Sequence, residues 1–466
     1  MIDLGVVGPS WEPPDTAPPR RRPGRLGAVV VAAVAVLVAV LPGKETAAAA
    51  PALLIGPGSQ SVVLAGGWMF VTRYAGEGAH TIEARPGDGP VRWTVELAEG
   101  EGLDFADASI VVLGHTYPVG PLTGVTARDT HTGAELWRRA AVVVVGAGGG
   151  RLLLMDTSRM QPVQDAPDPG AAPPVPQESR IFAVDPRTGA DAWTLLVPAG
   201  SAPSFGHDPG DPYRTTALGV LDPDGVLRSY DLRTGAVSGT ARIERTGPVR
   251  YFEFGGSGRA RGQVMVADGD ADGSAGVYDL ASGRRILRVD PPTYGAYPCD
   301  ADHWCVSGAR GGVAYEAATG RPAWRGDSSG LTVLDPVTGS PRWSAKGYFR
   351  ISELGPDAVA LAAMGNGDQF AGPGVRIVDA RTGAVRRTFP DWHYLQSLGD
   401  RLVVWHRAED SRRTTVGLLD PATGGVLVLG WADTWAGEPQ CVTSEALIAC
   451  GIMGDMTLWH LPAGVR

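Results

Sequence analysis

The sequence predicts an all-β protein: a β-propeller of about eight four-stranded blades, with seven as the alternative, preceded by one N-terminal hydrophobic helix. Three observations lead to this prediction. A hairpin-like stretch recurs along the chain, its spacing suits one blade per copy, and the composition is turn-dense, with 65 glycines and 38 prolines in 466 residues. A propeller grows by adding blades, so a single unit can accommodate residues 53–466.

The recurring stretch is clearest at residues 181–193, Ile-Phe-Ala-Val-Asp-Pro-Arg-Thr-Gly-Ala-Asp-Ala-Trp. The apolar start predicts a strand. Asp185 to Gly189 predicts a turn, because Asp hydrogen-bonds backbone amides two residues on and Gly accepts a positive φ. The return strand carries Trp193, whose flat ring predicts packing against a neighbouring unit. Further copies lie at 82–93, in worn form, and at 127–137, 229–235, 277–283, 315–324, 333–343, 377–383 and 418–424.

The spacing of the motif glycines supports one copy per blade. Most neighbouring motif glycines are 37 to 56 residues apart, and a four-stranded blade needs about 40 to 50 residues. Gly320 and Gly339 are only 19 apart, so we expect their turns to belong to two hairpins of one blade. Residues 440–461 lack a Thr-Gly turn but alternate like strands. We expect them to pair with the first strands and close the ring, which removes free sheet edges.

The pattern Ala/Tyr-x-Asp-x-x-Thr-Gly-x-x-x-Trp resembles the repeat of the pyrroloquinoline-quinone-like (PQQ-like) β-propellers, here of a membrane-anchored or exported bacterial type. That family contains quinoprotein dehydrogenases and many non-enzymatic extracytoplasmic propellers. The resemblance covers nearly everything after residue 52. It implies the scaffold and not the ligand, because repeat residues build the fold and function resides elsewhere.

The resemblance leaves two classes of function. Quinoprotein dehydrogenases of this family hold the quinone on the propeller axis beneath a disulfide of adjacent cysteines, beside calcium and a catalytic carboxylate. No two cysteines are adjacent here, and neither the calcium ligands nor the base can be matched. We therefore expect a non-catalytic platform without a quinone cofactor, which binds a protein or an envelope polymer on its rim or axial face. A PQQ- and calcium-dependent dehydrogenase is the alternative.

The N-terminus predicts export. Residues 1–25 are Pro-rich and predict a disordered cytoplasmic segment, residues 26–42 predict a transmembrane helix or a signal peptide, and residues 43–52 predict a linker. The four arginines before residue 26 favour a single-pass anchor in the cell membrane with the N-terminus in the cytoplasm and the propeller outside. The alternative is cleavage in the alanine run at 47–50 and secretion.

The net charge argues against a nucleic-acid partner. The chain carries a formal charge of −9 and has a pI near 5.4. Binding to phosphate backbones needs a basic face, and no basic run lies outside the N-terminus.

The four cysteines fall into two local pairs. Cys299 and Cys305 bracket five residues, and Cys441 and Cys450 bracket eight. In an oxidising compartment we expect the disulfides Cys299–Cys305 and Cys441–Cys450, each tying adjacent strands. The alternative is four buried free thiols in a cytosolic protein. The spacings fit neither a zinc CxxC pair nor a haem CxxCH motif.

One short motif indicates a cation. Asp268, Asp270 and Asp272, followed by Gly273, match the DxDxDG calcium loop, in which carboxylates converge on a hard ion. Asp279 occupies the twelfth position but is already explained as the turn aspartate of the repeat. Strands are expected on both sides, which argues against an EF-hand. A calcium-binding hairpin and an ordinary Asp/Gly turn both remain open.

The chain also contains two polar insertions and one serine motif. Residues 161–177 and 201–212 are rich in Pro, Gly and Asp, which predicts rim loops that either carry binding specificity or are neutral insertions. Residues 326–330 match the GxSxG nucleophile pattern. That elbow requires a strand feeding a helix, whereas this segment links two predicted hairpins. We assign no catalytic residue.

Overall fold

The fold is known from a computed structural model. It describes residues 53–76, 79–115, 124–158, 177–208, 211–244, 249–255, 262–268, 275–289, 293–298, 302–308, 311–327, 330–354, 357–363, 374–407, 413–433, 439–444, 446–452 and 454–462. Strands and turns make up these ranges, and no helix long and apolar enough to cross a membrane occurs within them. The segments predicted at 1–25, 26–42 and 43–52 lie outside them.

The described residues contain 37 strands. They are β1 Leu53–Ala65, β2 Trp68–Gly76, β3 Ala79–Pro86, β4 Trp93–Leu97, β5 Glu101–Ala106, β6 Ile110–His115, β7 Gly124–Asp129, β8 Glu135–Ala140, β9 Val142–Gly148, β10 Arg151–Asp156, β11 Ser179–Val184, β12 Asp191–Val197, β13 Ala202–Asp208, β14 Asp211–Leu221, β15 Val226–Tyr230, β16 Val237–Arg242, β17 Val249–Phe254, β18 Gln263–Asp268, β19 Ala275–Asp279, β20 Arg285–Val289, β21 Thr293–Pro298, β22 His303–Gly308, β23 Gly311–Glu316, β24 Pro322–Asp327, β25 Gly330–Leu334, β26 Pro341–Lys346, β27 Tyr348–Glu353, β28 Ala358–Ala363, β29 Val375–Asp379, β30 Val385–Phe389, β31 His393–Leu398, β32 Arg401–Arg407, β33 Arg413–Leu419, β34 Val426–Asp433, β35 Gln440–Thr443, β36 Leu447–Ile452 and β37 Gly454–His460.

The strands form antiparallel meanders in which sequence neighbours pair. Four sheets are simple groups of four: β5 to β8, β17 to β20, β27 to β30, and β31 to β34. The groups β9 to β12 and β13 to β16 are joined into one sheet by a single parallel contact between β9 and β14. The all-β prediction is confirmed. The predicted number of blades stays a prediction, because joined sheets make sheet number and blade number differ.

The predicted closure between the two ends of the domain is present. The beginning of β1 pairs with β37, with Leu53 opposite Leu458, whereas its end pairs with β2, with Ala65 opposite Trp68. One strand therefore completes the C-terminal meander β35 to β37 and also starts the N-terminal meander. A shift of register in the middle of β1 separates the two pairings.

The buried core lies between successive groups. One cluster combines Phe105 and Ile110 from the second group with Leu152 and Val184 from the third. The same arrangement recurs where the fourth group meets the fifth and where β32 to β34 meet β36 and β37. First strands also contact first strands, as between β13 and β17 or β31 and β35. Each group is thus held on both faces.

The two closely spaced motif turns do share one sheet. Gly320 and Gly339 lie in the six-stranded sheet β21 to β26, in the turns after β23 and β25. The GxSxG segment of the sequence joins β24 to β25 in that sheet. It therefore connects strand to strand, as expected, and not strand to helix.

The loop prediction for residues 201–212 was wrong. Most of this stretch belongs to β13 and β14, which pair over a long register with Phe205 opposite Leu218. The prediction weighed the Pro, Gly and Asp content, but Gly206 is needed inside the strand. A Cβ atom there would lie 2.8 Å from the Cβ of Phe254 in the neighbouring group. Of the other predicted loop, residues 161–176 lie outside the described part of the chain.

Tryptophan side chains of one group pack on turn glycines of the next group. The ring of Trp137 lies on Gly189 of the next group, where an added Cβ would be 2.7 Å from the ring, and its Nε1–H donates to the carbonyl oxygen of Pro186 at 2.8 Å. The predicted packing of repeat tryptophans on neighbouring units is therefore confirmed. The same contact joins Trp93 to Gly133 and Thr130, Trp193 to Gly235 and Leu232, and Trp343 to Gly383 and Ala380.

A matched pair of alanine variants should isolate this contact. Gly189 and Gly339 have the same φ of 68°, but no described atom lies within 4 Å of a Cβ built on Gly339. We expect Gly339→Ala to lower the free energy of unfolding by about 1 kcal/mol through left-handed strain alone. Gly189→Ala should cost about 2 kcal/mol more, because the methyl group meets the Trp137 ring. Urea unfolding of the full chain measures both, and equal losses would contradict the role given to the ring.

Candidate binding surface

The meanders place two different sets of connections at opposite edges. In an antiparallel group, the turns after the first and third strands lie at one edge, and the turn after the second strand lies at the other. The Asp-x-x-Thr-Gly turns all follow third strands or, after β25, a strand of the same direction. We call their edge the turn edge and the opposite one the loop edge. β10 and β18 are second strands, so their last residues, Asp156 and Asp268, lie at the loop edge.

The turns owe their shape to the aspartate. In the copy at 185–189, Asp185 Oδ1 accepts hydrogen bonds from the amides of Arg187 and Thr188, at 3.1 and 2.9 Å, and from the Thr188 hydroxyl at 3.0 Å. The amide of Gly189 donates to the Asp185 carbonyl at 2.9 Å. These bonds, the Thr188 amide foremost, lower the pKa of Asp185. In the worn first copy, at residues 82–93, Gly87 has a positive φ of 53° and Gly89 does not have one.

Arginines occupy the outer oxygens of several turn aspartates. Arg342 Nη2 lies 2.8 Å from Asp335 Oδ2, and Arg386 Nη2 lies 2.6 Å from Asp379 Oδ2. The bond from Arg386 is the largest cause that lowers the pKa of Asp379. Because both oxygens of these two carboxylates are engaged, neither carboxylate is free to hold a cation.

The loop edge carries an aromatic cluster at one group. It consists of Trp392, His393, Trp405 and His406, which we call the β31–β32 cluster. The rings of His393 and Trp405 are 4.7 Å apart between centroids, and those of Trp392 and His406 are 5.8 Å apart. His406 Nδ1 is 2.8 Å from the carbonyl oxygen of Asp391. Trp405 is buried, with 1% of its surface exposed, and the other three are half-buried.

The surroundings of His393 favour its neutral form. Burial lowers the pKa of His393, the neighbouring His406 lowers it further, and Asp391 opposes the shift. Burial also raises the pKa of the adjacent Tyr394. At neutral pH both His393 and Tyr394 are therefore favoured as neutral rings with polar atoms, beside the indole of Trp405. Such surfaces are enriched at the centres of protein interfaces.

The predicted calcium residues are only partly described. Asp268 is the last residue of β18, whereas Asp270 and Asp272 lie outside the described residues. Asp279 forms a repeat turn, because its Oδ1 accepts from the amide and the hydroxyl of Ser282 at 2.8 and 2.6 Å. No group of three or more metal-binding side chains occurs among the residues that the structure covers. Calcium at Asp268, Asp270 and Asp272 stays a prediction.

The cysteines behave as expected where they are described. Cys441 and Cys450 face each other across β35 and β36 and form a disulfide, with Cα atoms 4.1 Å apart. Cys305 in β22 is also disulfide-bonded. Its predicted partner, Cys299, lies outside the described part of the chain.

The β31–β32 cluster was missed at the level of sequence. Taken one by one along the sequence, the eight histidines are scattered and predict surface or packed side chains. A hairpin centred on residues 399 and 400 pairs His393 with Trp405, so Trp-His at 392–393 and Trp-His at 405–406 lie side by side. Two aromatic doublets, one ending six residues before Gly399 and one starting five residues after Asp400, were the available signal, and a register shift between Tyr394 and Gln396 brings them opposite each other.

Comparison with known proteins agrees with the repeat. Residues 79–269 match a family model described as outer membrane protein assembly factor BamB. For that stretch the resemblance to PQQ-like repeats is confirmed. No curated protein matches the chain.

Several solved structures are similar in fold at low identity. BamB from Moraxella catarrhalis is 15% identical, with 88% of this chain and 99% of that chain covered and a TM-score of 0.37. Quinohemoprotein alcohol dehydrogenase from Comamonas testosteroni is 13% identical, with 90% and 77% covered and a TM-score of 0.37. A europium-containing methanol dehydrogenase is 12% identical, with 87% and 85% covered and a TM-score of 0.36.

Removal of the Cys441–Cys450 disulfide should destabilise the C-terminal meander. The double variant Cys441→Ser, Cys450→Ser is expected to lose about 2 to 3 kcal/mol, as for closure of a short loop. The measurement is the melting temperature with and without dithiothreitol. The drop that the reductant causes in the native chain should be smaller in the double variant, and a native chain indifferent to reductant would refute this.

The turn aspartates should make stability acid-sensitive. Hydrogen bonds lower the folded-state pKa of Asp185 and Asp231, with Thr188 and Thr234 as the main donors, below the unfolded value of about 3.9. Their contribution is therefore complete above pH of about 4 and is lost as pH falls below it. Asp185→Asn should flatten the fall in urea midpoint between about pH 4 and 2. Asp400→Asn, outside the repeat turns, is the control, and an equal slope in both would contradict the assignment.

Proposed function

We propose that this chain is a non-catalytic, extracytoplasmic β-propeller that serves as a binding platform for other proteins. The observation that carries the proposal is the match of residues 79–269 to a family described as an outer membrane protein assembly factor. The Cys441–Cys450 disulfide supports an oxidising compartment. Tethering to the cell membrane through residues 26–42, with the N-terminus in the cytoplasm, is part of the proposal, and secretion after cleavage is its alternative.

The β31–β32 cluster is the proposed contact for a partner. Trp392 is half-buried at the loop edge beside His406, and its ring can add contact area without ordering a long flexible side chain. The ring of the buried Trp405 lies against the ring of His393, with their centroids 4.7 Å apart. Binding hot spots are enriched in tryptophan side chains that lie in well-packed surroundings.

Photo-crosslinking in intact cells tests this platform. A photoreactive phenylalanine at position 392 of the full chain should capture discrete envelope proteins, whereas the same residue at the exposed position 297 of β21 should capture them at background level. In the purified pair, Trp392→Ala should weaken binding by about thirtyfold, the effect of losing about 2 kcal/mol at a hot spot. Equal capture at both positions would contradict the proposed surface.

A second experiment addresses the dehydrogenase alternative. Pyrroloquinoline quinone and calcium are added to the detergent-solubilised full chain, and the melting temperature and the reduction of an artificial electron acceptor are followed. The platform predicts no saturable stabilisation by quinone and no substrate-dependent dye reduction. Both effects together, with an alcohol or a sugar as substrate, would replace the platform by a quinoprotein dehydrogenase.

A further inference from the structure

One repeat turn, at residues 335–339, has the geometry of the docked turns. Asp335 Oδ1 accepts from the amides of Val337 and Thr338, both at 2.9 Å. The amide of Gly339 donates to the Asp335 carbonyl at 2.7 Å, and Gly339 has φ 68°. The glycine face and the carbonyl that follows the aspartate are therefore presented as in the turns that receive a tryptophan.

The other repeat turns are covered. Four carry a tryptophan ring whose Nε1–H donates to the carbonyl after the aspartate at 2.8 to 3.1 Å. On Gly424 lies the side chain of Arg387, and backbone carbonyls of the preceding group lie against Gly283 and Gly320. At Gly339, by contrast, no atom of the described residues lies within 4 Å of the Cβ position.

The uncovered turn follows from the six-stranded sheet. Trp324 precedes it in sequence but lies on β24, the adjacent strand of the same sheet, opposite Val333. A side chain on an adjacent strand cannot lie over the turn as one from a preceding group does. Trp343 of the same hairpin is already used on Gly383 of the next group. Chain order therefore supplies no tryptophan for this turn.

The surroundings of the turn suit an indole. Val337 is 73% exposed and offers an apolar edge next to Gly339. The Asp335 carboxylate is bound by Arg342 through Nε at 3.1 Å and Nη2 at 2.8 Å. With that charge compensated, a neutral ring with one N–H donor fits the turn better than a free cation does.

We propose that the turn at 335–339 is a docking site for a tryptophan side chain of a partner protein, which lies on Gly339 and donates its indole N–H to the carbonyl oxygen of Pro336. The site deepens the proposed platform function and rests on it. A different protein is favoured over a second copy of this chain. Trp431, the exposed tryptophan among the described residues, is engaged by Arg413, whose guanidinium lies 3.9 Å from the ring centroid.

The probe is N-acetyl-5-fluorotryptophanamide, added to the solubilised full chain and followed by fluorine NMR line broadening. Saturable broadening is expected, and Gly339→Asn should weaken it about tenfold, because asparagine tolerates a positive φ while covering the turn. Gly347→Asn is the matched control: Gly347 has φ 75°, and no described atom lies within 4 Å of its Cβ position. The 1-methylindole analogue, which lacks the donor, should bind several-fold more weakly.

Each outcome decides the inference. Broadening that Gly339→Asn leaves unchanged, or that both variants reduce alike, would overturn it, as would no broadening or equal binding of the methylated analogue. Self-association abolished by both Gly339→Asn and Trp431→Phe, measured by sedimentation, would assign the site to a second copy instead. Capture of proteins from position 392 without indole binding would contradict the docking site and leave the platform function supported. Indole binding without captured proteins would contradict the platform function and leave the docking site supported.

Discussion

The tryptophan ring laid on the glycine of the next repeat is the contact on which the architecture depends. It makes two requirements at once: a residue without a side chain at a left-handed position, and a carbonyl oxygen at the right distance from the indole nitrogen. The turn aspartate satisfies the second by fixing the turn through its amide bonds. The sequence motif therefore determines both the shape of the turn and its contact with the neighbouring group. The apolar clusters between sheets add area but do not fix the register in the same way.

The two edges of the meanders differ in the side chains that they carry. Repeat turns at one edge have their carboxylates engaged by amides, hydroxyls and arginines. At the other edge lies the β31–β32 cluster. The proposed binding contacts are local additions to a repeated scaffold: the β31–β32 cluster at one edge and the turn at 335–339 at the other.

Periodic features were predictable from sequence, and features that depend on sheet order were not. The hairpins, the shared sheet of Gly320 and Gly339, the Cys441–Cys450 bond and the pairing of residues 440–461 with β1 followed from local pattern and spacing. The strands at 202–221 did not, because Gly206 reads as a loop residue until Phe254 of the next group is known to approach it. The cluster of His393 and Trp405 required the register of one hairpin. That no described atom covers Gly339 could not be predicted either, because it depends on Trp324 and this turn lying in the same sheet.

The shared strand β1 has a consequence for the order of synthesis. Its first residues pair with β37, and His460 lies 3.1 Å from Asp88 across almost the whole chain. During translation β1 must therefore wait, with one edge unpaired, until β37 has been synthesised. Such distant pairing slows folding. Until then β1 presents unpaired backbone groups, which can template pairing with another chain.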